Sequence, residues 1–146
     1  MISVSRRVLL AAPPEAVWPY VADPSRFAEW RLGAGVTSAA AIGTGPMAVG
    51  SRFRMGVTTQ GQSGSLECTV TALEENRRFA FESIDKSGIS GSADTRLQAD
   101  GTGTQLAFAF ELRLPGAWRM MQSVISRIVN QAADTDFATL QAKFAP

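Results

Sequence analysis

Any chemistry in this chain has to be done without histidine, since none occurs among its 146 residues. That absence removes Ser-His-Asp and Cys-His nucleophile systems, histidine metal sites and the commonest general base. With Cys68 as the only cysteine, neither an intramolecular disulfide nor a cysteine-based zinc site can form. Carboxylates, arginines, lysines, hydroxyls, Tyr20 and backbone groups remain. Asp136 is the sharpest of these. Taking Trp118 as origin and advancing about 100° per residue, Met121, Ile125, Ile128, Val129, Ala132 and Leu140 gather on one helical face, with Phe137 and Phe144 at its border. Asp136 falls near the centre of that stripe, where an unpaired carboxylate is costly. Two readings follow. The carboxylate anchors a ligand or, its pKa raised by desolvation, acts as a general acid or base. Alternatively the helix end diverges, and Asp136 reaches water or an arginine such as Arg52 or Arg54. The sequence favours the second.

Tyr20 is the other acid–base candidate. Arg52 and Arg54 share a strand face opposite Phe53 and Met55. Facing inward they would clamp an acidic ligand group, and Arg54 is a ligand-binding candidate on that reading; facing outward, the favoured case, they are solvated. Trp18, Trp30 and Tyr20 either gate a cavity mouth or pack short helices against a sheet rim. Glu67, Glu111, Asp94 and Arg96 suit outer-face cross-strand pairs. Cys68 alternates with Leu66 and Val70, as a buried small hydrophobe does.

These residues need elements to hold them. Ile2 to Leu10 suits a first strand. Pro13-Pro14-Glu15 opens a short helix running to about Ala22, with proline and an acid both favourable in a first turn. Asp23 is a plausible N-cap for a second short helix whose apolar side is Phe27 and Trp30. Gly33 to Gly50 is rich in glycine and small residues around one weak strand near Val36 to Ile42, and reads as a mobile segment. Five alternating strands follow, with hairpin loops at Gln60-Gly61-Gln62-Ser63-Gly64, at Glu74-Glu75-Asn76 and at Asp100-Gly101-Thr102-Gly103. In the last strand Leu106, Phe108, Phe110, Leu112 and Leu114 share one face. A long helix from Gly116 to about Phe144 then supplies an apolar stripe, and sheet and helix each have one face to bury against the other.

Size and composition bound the function. One domain spanning 1–146 is expected from length. A hydrophobic fraction of 45%, a charged fraction of 18% and a mean hydropathy of +0.03 describe a folded rather than disordered chain. The net charge of +1, without a basic cluster, argues against nucleic acid as a partner. Arg6-Arg7 precedes an apolar run too short for an export signal, and no stretch reaches membrane-spanning length. A cytoplasmic protein with no stable membrane insertion is expected, and a homodimer is left open.

The phrase Ala12-Pro13-Pro14-Glu15-Ala16-Val17-Trp18, then Val21-Ala22-Asp23-Pro24 and Phe27-Ala28-Glu29-Trp30, resembles the opening of the SRPBCC superfamily, also called START-like or polyketide cyclase/dehydrase-like. Gly50-Ser51-Arg52-Phe53-Arg54, Val70-Thr71-Ala72-Leu73-Glu74, Arg77-Arg78-Phe79-Ala80-Phe81-Glu82 and Gly103-Thr104-Gln105-Leu106 extend the likeness over nearly the whole chain. The resemblance implies an α+β helix-grip fold, in which a curved seven-stranded antiparallel sheet wraps around the C-terminal helix and leaves a cavity. It implies a bulky apolar ligand, and it carries no shared catalytic residues, cofactor or metal.

On that fold the cavity candidates are Met55, Phe79, Phe81, Phe108, Phe110, Met121 and Ile125, with Trp30 and Arg54 beside them; each either lines the cavity or packs as core. Ala72, Ala93 and Ala132 would leave room. The expected function is binding of a hydrophobic or aromatic small molecule, lipid- or polyketide-like. The alternative is a polyketide cyclase or dehydratase that orients its substrate and uses Asp136, Tyr20 or an arginine. A partner-binding module would need an exposed apolar patch, for which the sequence makes no clear case.

Overall fold

Period-2 alternation along the chain becomes one continuous sheet in the computed structural model, which describes residues 1–59 and 61–145. Strands β1 (Ile2–Leu10), β2 (Val36–Ile42), β3 (Arg52–Thr59), β4 (Gln62–Glu74), β5 (Arg78–Ile84), β6 (Ser90–Asp100) and β7 (Gly103–Arg113) form it. The spatial order is β1-β7-β6-β5-β4-β3-β2, every neighbour antiparallel. Strands β2 to β7 are a meander, and β1 returns alongside β7.

The turns are tighter than the loops expected from sequence. Thr59 pairs with Gln62, so Gln62, Ser63 and Gly64 belong to β4, while Gln60 of the expected loop lies outside the described residues. Asp100 pairs with Gly103, and Gly101 at φ 61° takes the left-handed conformation that this two-residue turn requires.

Between β1 and β2 lie α1 (Pro14–Ala22), a 3-10 turn at Pro24–Arg26, and α2 (Phe27–Trp30). Asp23 Oδ1 accepts from the Ser25 amide at 3.0 Å and the Ser25 hydroxyl at 2.7 Å, capping the turn as expected. The Trp30 indole Nε1 donates to the Tyr20 carbonyl at 2.8 Å, clipping α2 to α1. This connection plugs one end of the sheet with Phe27, which is 1% exposed and packs against the rings of Trp30, Phe53, Phe79 and Phe81.

The C-terminal helix departs from the expected continuous cylinder. Its first six residues, Gly116–Met121, are a 3-10 turn, and α3 proper runs Gln122–Lys143. Residues 116–124 are exposed at every position, so this stretch has no buried face for a helical projection to find. Met121 is exposed, alongside Trp118, Met120 and Val124, and does not line the space between sheet and helix. An exposed apolar patch exists there that the sequence did not reveal. Further along, Ala133, Asp136, Phe137 and Leu140 are buried. Arg6 on β1 donates from Nε to Asp134 Oδ1 at 2.7 Å and from Nη2 to Asn130 Oδ1 at 3.0 Å, tying α3 to the sheet edge.

Cys68 on β4 is fully buried, as its alternation implied, and burial pushes its thiol up to about 12 against a smaller pull from Arg31. Alkylation by iodoacetamide at pH 8 is therefore expected to proceed only as fast as the protein unfolds, followed by mass spectrometry. Full labelling of the native protein within minutes would contradict that burial.

Candidate functional site

Helix α3 and the sheet do not close on each other completely. Between them lies a hollow of about 210 Å³. The sheet contributes Val4, Val36, Met55, Val57, Leu66, Phe81, Phe108, Phe110 and Leu112; α3 contributes Ile128, Val129, Ala132, Ala133 and Phe137; Trp30 and Ile89 complete the apolar wall. The polar side chains on it are Arg31, Thr59, Ser83 and Asp136. An apolar hollow of about 150 Å³ can hold benzene, so this one has room for somewhat more than a single ring.

Asp136 is buried on that wall, 4% exposed. It is withdrawn from the outer surface and bonds to neither Arg52 nor Arg54. Its Oδ1 accepts from the Gly33 amide at 2.6 Å and, more weakly, from the Ala34 amide at 3.4 Å. Gly33 is what lets the chain lie so close. A Cβ there would stand 2.8 Å from the Ala132 carbonyl oxygen and 2.9 Å from Asp136 Oδ1, closer than a real Cβ goes. The supposedly mobile glycine segment is thus pinned at its start to α3. Burial raises the Asp136 carboxyl above its usual pKa, although Arg31 and the two amide hydrogen bonds oppose the shift.

Arg31 is the polar group the sequence reading missed. It follows Trp30 at the end of α2, and its guanidinium lies 5.3 Å from the Phe27 ring centre, 5.7 Å from Trp30 and 5.9 Å from Phe81. Its Nε is buried with no hydrogen-bond partner among the described residues. Burial lowers its pKa, while the Asp136 charge and the nearby Cys68 raise it. A basic residue next to an aromatic one was the available signal. The Phe81 ring comes from a distant strand, and spacing cannot show it.

The other candidates divide. Met55, Phe81, Phe108, Phe110 and Trp30 line the hollow, as does Ala132. Phe79 is core, packed on Phe27 and Phe81, and Ile125 is half-buried against the core outside the wall. Ala72 and Ala93 are outside it too. Tyr20 is away from the hollow, its ring edge-on to Phe144 at 5.3 Å and flanked by Arg26 and Lys143. Arg54 is corrected as well: with Arg52 it lies on the outer face, the two guanidiniums 3.4 and 3.0 Å from Glu67. The register explains this, since Phe53 and Met55 take the inward positions of β3. Arg54→Ala is expected to leave binding of any cavity ligand unchanged and to move stability by no more than about 0.5 kcal/mol, by denaturant titration. Asp94 is an outer-face partner, of Arg78 at 2.9 Å and Arg96 at 3.3 Å.

Among the described residues, no cluster of three or more Cys, Asp or Glu is arranged to hold a metal, and no helix is long and apolar enough to cross a membrane.

Solved structures share this architecture. A protein of Mesorhizobium loti is 21% identical, with 96% of this chain and 94% of that one covered and a TM-score of 0.72. A START superfamily protein of Mycobacterium smegmatis is 19% identical over 97% and 96% of the two chains, TM-score 0.72. The Zhui aromatase/cyclase of a Streptomyces species is 18% identical over 97% and 92%, TM-score 0.76. At these identities the likeness establishes the fold alone. No curated protein sequence matches. Residues 1–144 match the family described as polyketide cyclase / dehydrase and lipid transport. With its seven-stranded antiparallel sheet closed over a long C-terminal helix, the chain belongs to that family and has the START-like helix-grip fold.

Proposed function

We propose that the protein binds a hydrophobic or aromatic small molecule, lipid- or polyketide-like, in the hollow between the sheet and α3. One observation carries this reading: a hollow of about 210 Å³ whose wall is almost wholly aliphatic and aromatic. Such space costs packing energy unless something fills it, and burying apolar ligand surface there recovers about 25 cal/mol per Å². Trp30, Met55, Phe81, Phe108 and Phe110 are the proposed contacts, and Ala132 leaves the room. We further propose that residues 1–146 act as one domain, supported by a single sheet running from Ile2 to Arg113 with α3 across it. A cytoplasmic setting belongs to the same proposal.

Native mass spectrometry of the purified protein, followed by solvent extraction, tests the reading. An apolar molecule of matching size should copurify with the wild type and be lost from Ala132→Phe, which fills the hollow. Retention by Ala132→Phe at wild-type level would overturn it.

A cyclase- or dehydratase-type enzyme is the second reading, favoured by one specific observation: Asp136 stands on the wall with a raised pKa, suited to accept or return a proton on a bound polyketide. Tyr20 drops out of it, being away from the hollow. Cyclisation of a short poly-β-ketone thioester, read as aromatic absorbance, should then proceed with wild type and fall at least tenfold in Asp136→Asn. A rate equal to that in buffer would end this reading.

A further inference from the structure

We infer that the ligand of this cavity is a monoanionic amphipathic acid, an aromatic ring or short acyl chain carrying one carboxylate, seated with that carboxylate on Arg31. The inference rests on the cavity binding proposed above and adds the chemistry of the polar end.

Among the described residues, Arg31 is the only cationic side chain on the wall. Three aromatic rings hold its guanidinium plane in place, at 5.3, 5.7 and 5.9 Å. A cation so held has lost much of its hydration, and ring faces satisfy charge but not the in-plane N–H donors. No hydrogen bond from its side chain to another described residue is formed, and no carboxylate lies within 4 Å of it among them. Asp136 acts on Arg31 through its field, its Oδ1 bonded to the amides of Gly33 and Ala34. A guanidinium whose Nε is buried without an acceptor is unusual, and a planar carboxylate is the group whose two oxygens match such a donor edge.

The charge balance selects among anions. Among the described residues Arg31 is the one basic side chain on this wall, already faced by Asp136, so a second negative charge on the ligand would have nothing to offset it. A phosphate monoester is therefore disfavoured and a single carboxylate fits. The rest of the wall is apolar, so the remainder of the ligand is a hydrocarbon body.

Two matched pairs of probes test this by calorimetry: cinnamate with cinnamamide, and octanoate with octan-1-ol. Wild type should bind the acid of at least one pair about 10- to 100-fold more tightly than its neutral partner, the range of a charged hydrogen-bonded contact. Arg31→Met should abolish that preference while keeping the affinity for the neutral probe, with Arg31→Lys intermediate. Asp136→Asn should strengthen acid binding several-fold, by removing a like charge, and leave the neutral probe unchanged. A role of Arg31 limited to packing would move acid and neutral probes together. Equal affinity of acid and neutral partner in wild type overturns the inference and leaves the cavity reading standing. Absence of binding by all four probes overturns both. The wild-type comparison needs no variant, so misfolding of Arg31→Met would not shield the inference.

Discussion

Phe27→Ala is expected to lower unfolding free energy by about 3–5 kcal/mol, the usual cost of removing a buried ring. Few positions in the chain are as enclosed. Phe27 is 1% exposed, stacks on Phe81 at 6.1 Å and meets Phe53, Phe79 and Trp30 edge-on at 6.2, 6.3 and 6.4 Å. These neighbours come from β3, β5 and α2, so the cavity left behind cannot collapse without moving separate elements. With a domain's total stability on the order of 5–15 kcal/mol, a loss of this size takes a large share. Guanidinium unfolding should show a lower midpoint with an unchanged slope, and Phe27→Leu should lose less. A loss under about 1 kcal/mol for Phe27→Ala would mean that α2 does not plug the sheet end as described. Because Arg31 also rests on the Phe27 ring, the leucine variant should loosen Arg31 as well.

Asp136→Ala is expected to cost about 3 kcal/mol, for a different reason. It strips the part-buried Gly33 and Ala34 amides of their acceptor and leaves the Arg31 charge without its compensating field. Asp136→Asn keeps an oxygen for the two amides and should cost only about 1 kcal/mol. The pH dependence has a definite sign. Because the native carboxyl is raised above its unfolded value of about 3.9, the folded state holds the proton more tightly than the unfolded one. Stability from this group is present at low pH and is lost as pH rises from about 4 through the native value. The deficit of Asp136→Asn relative to wild type should therefore shrink across that window. Asp94 works the other way. Burial raises it, but the hydrogen bonds and charges of Arg78 and Arg96 prevail and set it below the usual value, so its contribution is lost as pH falls below about 4. A deficit for Asp136→Asn that grows between pH 4 and 7 would contradict the placement of Asp136.

Much of the fold was written in short-range pattern. Alternation in β3 to β7, the Asp23 cap and the turn at Gly101 are decided by residues within a few positions of each other, and each formed as expected. The site was less legible because its polar contacts join residues far apart. The bond from Gly33 to Asp136 spans 103 positions, and no local signal distinguishes an acceptor for backbone amides from a partner for arginine. Asp136 could be singled out, since a carboxylate in an apolar stripe is anomalous in itself. Arg31 could not, because arginine after a short helix is ordinary until three rings are seen around it. Met121 was misplaced because residues 116–124 are exposed on every side, which a helical projection does not show, and Arg54 went with whichever face β3 turned inward, which is the face of Phe53 and Met55.

The central claim is that the hollow beneath α3 takes a ligand, and chemical-shift mapping on the isotope-labelled wild type tests it most directly. Titration with cinnamate and with octanoate should shift the backbone amides of Val36, Met55, Phe81, Phe108 and Ala132, which surround the hollow from four strands and the helix. Shifts confined to the exposed surface of Trp118, Met120, Met121 and Val124, or no saturable shifts at all, would contradict it.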